Sequence, residues 1–111
     1  MNDKYERQMK KGILDMLVVK LLGQEPKYGY QIIQEMRERG GEVFLLKDGT
    51  LYPILYRLEE DGLVIGRWSE AEGKQVARKS SEIPAAGREA FGRMETVWKN
   101  ISGGVERIME E

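Results

Sequence analysis

The chain has 111 residues, of which 41% are hydrophobic and 33% are charged, and its formal net charge is −1. This length suits one small domain with a single core, and the composition excludes a disordered or membrane-embedded chain. The sequence contains neither Cys nor His, which excludes disulfides, cysteine nucleophiles, imidazole bases and thiolate or imidazole zinc sites. We therefore expect no metal site, no cofactor and no enzymatic activity.

The N-terminal stretch M-N-D-K-Y-E-R-Q-M-K lacks the apolar core of a signal peptide. No apolar run approaches the length of about 18 residues that spans a membrane. We therefore expect a cytoplasmic protein with no membrane partner. The near-neutral total charge does not exclude a nucleic-acid partner, because the distribution of charge along the chain matters more than its sum.

Two helices are predicted in the first part of the chain. Apolar residues recur at helical spacing as far as Leu22, which predicts one helix from about Tyr5 to Leu22. A second helix is predicted from Tyr28 to Arg39, closed by a Gly-Gly pair. A brief β-prone connection follows at residues 42–47 and leads into the next helix.

The segment D-G-T-L-Y-P-I-L-Y-R-L-E-E-D-G-L-V, residues 48–64, predicts a third helix, a stop and the start of a strand. Because proline is tolerated in the first turn of a helix, Pro53 requires this helix to begin near Asp48 to Thr50, and those residues are also plausible caps. Gly62 supplies the C-terminal break.

The two faces of this third helix differ in chemistry. A short helix of this kind, followed at once by a β-prone segment, is typical of a base-reading recognition helix that leads into a wing. Arg57 is expected to pair with Glu59 or Glu60 within the helix. The apolar face contains Leu51, Ile54, Leu55 and Leu58, and the outer face contains Tyr52, Pro53, Tyr56 and Arg57.

Two β-prone runs, 63–68 and 76–83, predict a hairpin with a polar tip, which is the candidate wing. From Arg67 to Lys79 the chain has four basic residues against two acidic ones, a balance that favours contact with a phosphate backbone, although an ordinary solvated charge mixture is the alternative. Residues 1–83 are therefore predicted to form an α+β, mostly α, winged helix-turn-helix domain.

Residues 84–111 are predicted to form a C-terminal dimerisation helix. Six apolar residues advance by 3, 4, 3, 4 and 3, which is the a/d seam of a heptad helix. Much of this seam lies beyond the domain's core, so we expect a homodimer. The adjacent Gly103 and Gly104 should kink or fray the helix, at about 1 kcal/mol per Gly. The seam residues are Phe91, Met94, Trp98, Ile101, Val105 and Ile108.

Three motifs resemble the PadR family of bacterial transcriptional regulators. They are G-I-L-D-M-L-V-V-K-L-L from Gly12, K-Y-G-Y-Q-I from Lys27 and G-T-L-Y-P-I-L-Y-R-L-E-E-D-G-L-V from Gly49, and the resemblance extends over most of the chain. The resemblance implies a dimeric winged-helix repressor that binds a near-palindromic operator in double-stranded DNA. It also implies that a small aromatic ligand releases the repressor, as in some family members.

The resemblance implies DNA contacts on the helices and the wing. Tyr56 is the foremost candidate because it matches a position that faces the major groove. Tyr52 lies closer to the core, Tyr28 has packing as an alternative role, and capping alone explains Gly49 and Thr50. The full set of candidate DNA-binding residues is Tyr28, Gly49, Thr50, Tyr52, Tyr56, Lys74, Arg78 and Lys79.

The wing departs from the family pattern. The family has two tyrosines after the Arg-Lys pair, whereas this chain has Ser80 and Ser81. A serine in place of a core aromatic costs on the order of 3 kcal/mol if nothing fills the space. Either a neighbour such as Trp68 compensates or the hairpin is poorly ordered.

Two further hypotheses concern ligands and partners. Met9, Met16, Met94 and Trp98 are candidates for an effector site, with simple core filling as the alternative. The alternative function is a winged-helix protein-interaction module that no longer binds DNA, which the serines of the wing and the near-neutral charge favour.

Overall fold

The computed structural model describes residues 4–69 and 77–111. Over these residues the chain is mostly helical, with three short strands that form one antiparallel sheet in the order β1-β3-β2. In chain order the elements are α1 (Lys4–Lys10), α2 (Ile13–Leu22), β1 (Lys27–Tyr28), α3 (Gly29–Gly40), a 3₁₀ helix (Gly41–Phe44), α4 (Asp48–Glu60), β2 (Ile65–Trp68), β3 (Lys79–Glu82) and α5 (Ala85–Met109).

A single apolar core lies between α2, α3 and α4. Each fully buried aliphatic side chain contributes about 1.5 to 3 kcal/mol through removal of its surface from water. The predicted apolar face of the third helix is confirmed, since its four residues are all buried in α4. The largest fully buried side chains are Leu22, Ile32, Leu51, Leu58, Val18 and Val19.

Helix α4 begins at Asp48 and ends at Glu60, two residues before Gly62, whose φ of 75° favours glycine. Pro53 is the sixth residue of α4 rather than a first-turn residue, so the Gly49 carbonyl does not receive the usual helical hydrogen bond. The predicted capping by residues 48–50 was wrong. Lys47 occupies the N-cap position without a side-chain cap, and its carbonyl accepts from the N–H groups of Thr50 and Leu51 at 3.0 Å each.

The predicted first helix is two helices, α1 and α2, because the backbone breaks at Gly12. Gly12 has a φ of 89°, a conformation that L side chains rarely adopt. None of the residues of α1 is buried, whereas α2 contributes to the core along most of its length. The sequence pattern did not indicate the break, because the residues on both sides of it have helical spacing.

The connection at residues 42–47 is not a strand, as its composition had suggested. Gly41–Phe44 form a 3₁₀ helix, in which Phe44 folds back onto the end of α3. A Cβ atom at Gly40 would lie only 2.7 Å from the Phe44 ring, so the absent side chain at residue 40 allows this close packing.

The sheet contains one strand that was not predicted, β1 at Lys27–Tyr28. The sequence pattern had placed these residues at the start of a helix. These residues pair with Ser81 and Ser80 of β3. Lys27 is buried, and its ammonium lies 3.1 Å from the Glu35 carboxylate of α3. The strand is too short to show period-two alternation, and its pairing partner lies more than 50 residues along the chain.

The predicted hairpin is confirmed by antiparallel pairing of β2 with β3. Arg67 forms an ion pair with Glu82 across these two strands, and the Arg78 N–H donates to the Ser69 hydroxyl at 2.8 Å. Trp68 does not fill the space beside Ser81, because its side chain is largely exposed. Tyr52 and Leu55 line the small crevice next to Ser81 instead.

Helix α5 continues without interruption through Gly103 and Gly104, contrary to the predicted fraying. Glycine keeps its backbone hydrogen bonds, so its cost of about 1 kcal/mol per residue is insufficient to stop a helix of 25 residues. Phe91 and Met94 pack against the core, whereas the seam beyond them is exposed. None of the helices in residues 4–69 and 77–111 is long and apolar enough to cross a membrane.

The start of α5 packs closely against the residues that flank the two wing strands. A Cβ atom at Gly87 would lie 2.2 Å from the Leu63 carbonyl oxygen and 2.5 Å from the Ile83 Cγ1. Leu63 and Ile83 both belong to the packed part of the protein. A side chain at residue 87 would therefore collide with them, and the start of α5 could not keep its observed position.

We predict that Gly87→Ala destabilises the protein by about 1 to 3 kcal/mol, because the added methyl group forces backbone to shift in a packed region. The measurement is the urea midpoint of unfolding at a fixed protein concentration. Gly92→Ala in the same helix is the matched control, since a Cβ there meets no atom within 4 Å. The control should gain stability through helix propensity, and equal effects of the two changes would contradict the close approach.

Candidate nucleic-acid interface

Aromatic and basic side chains from α3, α4 and the wing converge on one groove of about 420 Å³. We call it the aromatic–basic groove. It brings together five of the predicted site residues, which come from segments that are distant along the chain. Its lining residues are Tyr28, Gly29, Tyr30, Asp48, Tyr52, Tyr56, Trp68, Arg78 and Lys79.

Tyr56 lies on the outer face of α4, with 52% of its surface exposed. Its ring centroid is 6.2 Å from that of Tyr52, and the Lys79 ammonium lies 4.7 Å from the Tyr56 centroid. Leu55 and Leu58 on either side of it are buried. The packing of α4 therefore determines that residue 56 faces outward, where a phenol can donate and accept hydrogen bonds.

Tyr52 is held against α3. A Cβ atom at Gly29 would lie 2.4 Å from the Tyr52 hydroxyl oxygen, so glycine at residue 29 allows this side chain to reach the start of α3. Tyr52 is also packed against the hydrophobic core. Its ring is therefore a structural wall of the groove, and Tyr56 is the more accessible of the two tyrosines.

Tyr28 precedes α3 at the edge of the groove. Its backbone N–H donates to the Gln31 side-chain carbonyl at 2.8 Å, which satisfies a donor that the helix itself leaves free. Its ring stacks on Tyr30 with centroids 6.0 Å apart. The Arg78 guanidinium lies 5.9 Å from the Tyr28 centroid, within the range of a cation–π contact.

Tyr30 and Trp68 are groove residues that the sequence pattern did not single out. Both are more than half exposed, at 56% and 67%. The sequence features that could have indicated them are the aromatic residue at each end of the Y-G-Y motif and the tryptophan at the end of the first wing strand. Large exposed aromatic rings beside basic residues are typical of surfaces that bind another molecule.

Gly49 and Thr50 do not line the aromatic–basic groove. Both are exposed at the start of α4, and Thr50 lines a different groove, of about 880 Å³, between α4 and the α1–α2 region. The helix N-terminus there presents backbone N–H groups, which favour an anion. Lys74 lies outside the described residues.

Arg57 pairs with Asp15 of α2 rather than with a carboxylate of its own helix. The Arg57 Nη2 and Asp15 Oδ1 atoms are 2.7 Å apart, and this hydrogen bond, with the negative charge of Asp15, raises the pKa of Arg57. Glu59 is already engaged by Lys79 from the wing. The predicted intrahelical pair was wrong, because the carboxylate that Arg57 contacts belongs to another helix, which residue spacing within α4 does not reveal.

The predicted seam and effector residues occupy different environments. Trp98, Ile101, Val105 and Ile108 are exposed along α5, together with Val97 and Met109, which were not predicted. Met94 packs against the core, Met16 is partly buried on α2, and Met9 is exposed on α1. Helices α2 and α5 pack together, so Met16 and Met94 belong to adjoining elements.

Helix α4 buries one face and exposes aromatic residues on the other, and it is joined to a basic two-stranded hairpin. This arrangement defines a winged helix-turn-helix domain. A family model described as the transcriptional regulator PadR-like family matches residues 18–93. The chain belongs to this family and is a transcriptional regulator.

Two solved structures and a further related protein agree with this assignment. A PadR-like transcription factor from Bacteroides fragilis is 34% identical, with a TM-score of 0.77, and the match covers 96% of this chain and 99% of that one. A PadR family regulator from Eggerthella lenta is 30% identical, with a TM-score of 0.81 and coverage of 93% and 87%. The transcriptional regulator Rv3488 of Mycobacterium tuberculosis is 32% identical over 81 residues, which are 69% of this chain and 71% of that protein.

Proposed function

We propose that this regulator is a dimeric repressor that binds a near-palindromic operator in double-stranded DNA. The observation that carries the proposal is the aromatic–basic groove, where the outer face of α4 meets the wing. In this proposal α4 enters the major groove and the wing follows the adjoining backbone. The division into a DNA-binding unit, residues 1–83, and a dimerisation helix, residues 84–111, belongs to the same proposal.

The proposed DNA contacts come from the aromatic–basic groove, from the N-terminus of α4 and from the wing. Tyr56 contacts base edges, because it is the exposed hydrogen-bonding residue at the centre of the outer face of α4. Tyr28 and Arg78 contact phosphates beside the start of α3, where their own contact already places them together. At the N-terminus of α4, the Gly49 backbone N–H and the Thr50 hydroxyl contact a further phosphate. Lys74, which lies outside the described residues, is proposed from the sequence alone to add positive charge.

We predict that the protein binds the DNA upstream of its own gene and that this affinity falls at least ten-fold between about 50 and about 200 mM salt. Tyr56→Ala should lower operator affinity about ten-fold, because one base contact contributes roughly 1 to 3 kcal/mol of discrimination. The measurement is fluorescence anisotropy of labelled duplexes, with a scrambled duplex as competitor.

Glu38→Ala is the matched control for this experiment, because Glu38 is exposed on α3 and contacts only Gln34 of its own helix among the hydrogen bonds described. The control should keep the parent's affinity. Weak binding at every salt concentration would overturn the repressor proposal and favour the protein-interaction module. Unchanged affinity of the Tyr56 variant would remove that residue from the base contacts.

The dimer is proposed from the exposed seam of α5. Four predicted seam residues and two further apolar residues lie uncovered along one 25-residue helix. Contiguous apolar surface of this kind is rare on a monomer, and a second copy related by twofold symmetry covers it with the same stripe. Such a dimer places two recognition helices about one DNA turn apart, roughly 34 Å.

We predict that Ile101→Asp shifts the protein from dimer to monomer, because it introduces a charge into the buried centre of the proposed seam. Sedimentation velocity at several protein concentrations measures the shift. Asn100→Asp places the same side chain at the neighbouring exposed position and should leave the dimer intact. A parent protein that sediments as a monomer at all concentrations contradicts the dimer.

A small aromatic effector is proposed to bind beside Trp98, near Met94, with Met9 and Met16 from α1 and α2 completing the site. Trp98 is 39% exposed where α5 leaves the core, and thioether groups pack well against aromatic rings. In the Trp68→Phe variant, Trp98 is the sole tryptophan. We predict that 8-anilinonaphthalene-1-sulfonate quenches its emission and weakens operator binding over the same concentration range. Unchanged emission and unchanged operator affinity would exclude this effector site.

A further inference from the structure

Lys79 does not occupy the position expected of a phosphate-binding lysine. Its side chain turns back from β3 onto α4, where its Nζ atom lies 3.0 Å from the Glu59 Oε2 atom. Only 19% of the Lys79 side chain is exposed, whereas the adjacent Arg78 is exposed. The ammonium is therefore largely withdrawn from solvent and neutralised by a carboxylate of the recognition helix.

Gly66 of β2 provides the space for this ion pair. A Cβ atom at residue 66 would lie 2.4 Å from the Lys79 Cε and 2.6 Å from the Glu59 Oε1. The lysine stem and the carboxylate thus pass directly over the glycine backbone. Three elements, α4, β2 and β3, meet at this one point.

The same ammonium also contacts the tyrosine assigned to base contact. Its Nζ atom lies 4.7 Å from the Tyr56 ring centroid and 6.0 Å from that of Trp68. A cation near an aromatic face is attracted by the ring quadrupole, and the attraction strengthens as water is excluded. Lys79 of the wing therefore contacts both the Glu59 carboxylate and the Tyr56 ring of α4.

We propose that Lys79 is a positioning residue, which uses Glu59 and Gly66 to fix the wing against the recognition helix and to orient Tyr56. This proposal rests on the proposed operator binding. It assigns Lys79 to sequence discrimination rather than to phosphate contact. A neutralised, mostly buried ammonium releases few counterions from DNA, so it contributes little to the salt dependence of binding.

The experiment compares Lys79→Gln with Arg78→Gln on operator and scrambled duplexes across a salt series. Lys79→Gln should lower the ratio of operator affinity to scrambled affinity about five- to ten-fold, with an unchanged slope of log K against log salt. Arg78→Gln should weaken both duplexes alike and reduce the slope by about 0.9 per protomer. Lys79→Arg, which keeps the charge, should retain most of the discrimination.

Glu59→Gln supplies a readout that a purely structural role would not change. It frees the Lys79 ammonium, so the salt slope should increase while discrimination falls. Combining Glu59→Gln with Lys79→Gln should lower discrimination no further than either change alone, because both remove the same link. A Lys79→Gln variant that loses salt slope as Arg78→Gln does, with discrimination intact, would overturn the proposal.

A measurement without DNA separates this proposal from the proposed function. Urea unfolding of the parent, the two single variants and the double variant gives the coupling between residues 59 and 79. Non-additive midpoints establish the link between wing and helix even if the protein binds no operator, in which case only the proposed function fails. Additive midpoints would overturn the positioning role directly.

Discussion

The burial of one face of α4 against α2 and α3 determines where every other functional element lies. Leu51 and Leu58 have 0% and 2% of their surface exposed, and they are one helical repeat of seven residues apart. Rotating α4 by one residue, about 100°, would remove such side chains from the core at a cost of roughly 1.5 to 3 kcal/mol each. Tyr56 therefore faces outward, because the burial of Leu51 and Leu58 fixes the rotation of α4.

The wing depends on small residues as much as on its basic ones. Gly29 admits the hydroxyl of Tyr52, Gly66 admits the Lys79–Glu59 pair, and Ser81 is buried between β1 and β2. At each of these positions the small residue leaves room for close packing. Another backbone segment or a long side chain can then come within contact distance. Tyr52 of α4 lines the crevice beside this serine, so α4 completes the inner face of the wing.

The features that could be predicted from the sequence depend on interactions between residues that are close along the chain. The third helix was predictable because its apolar spacing and its stop at Gly62 are local. The pairing of Arg57 with Asp15 joins residues 42 positions apart, and the strand at Lys27–Tyr28 exists only because β3 lies beside it. Among the candidate site residues, Tyr56 follows from helical spacing alone, whereas the inward turn of Lys79 depends on the absent side chain at Gly66.

The break at Gly12 has a consequence for how the N-terminal helix is stabilised. Helix α1 has seven residues and buries none of them, and Tyr5 and Met9 are exposed on it. A helix this short is unstable in isolation, because nucleation costs more than so few hydrogen bonds return. The Lys10–Glu6 pair and the Lys10 ammonium over the Phe44 ring add only surface-level attraction. The stability of α1 therefore depends on contacts that it makes outside its own turns, and not on its own backbone hydrogen bonds alone.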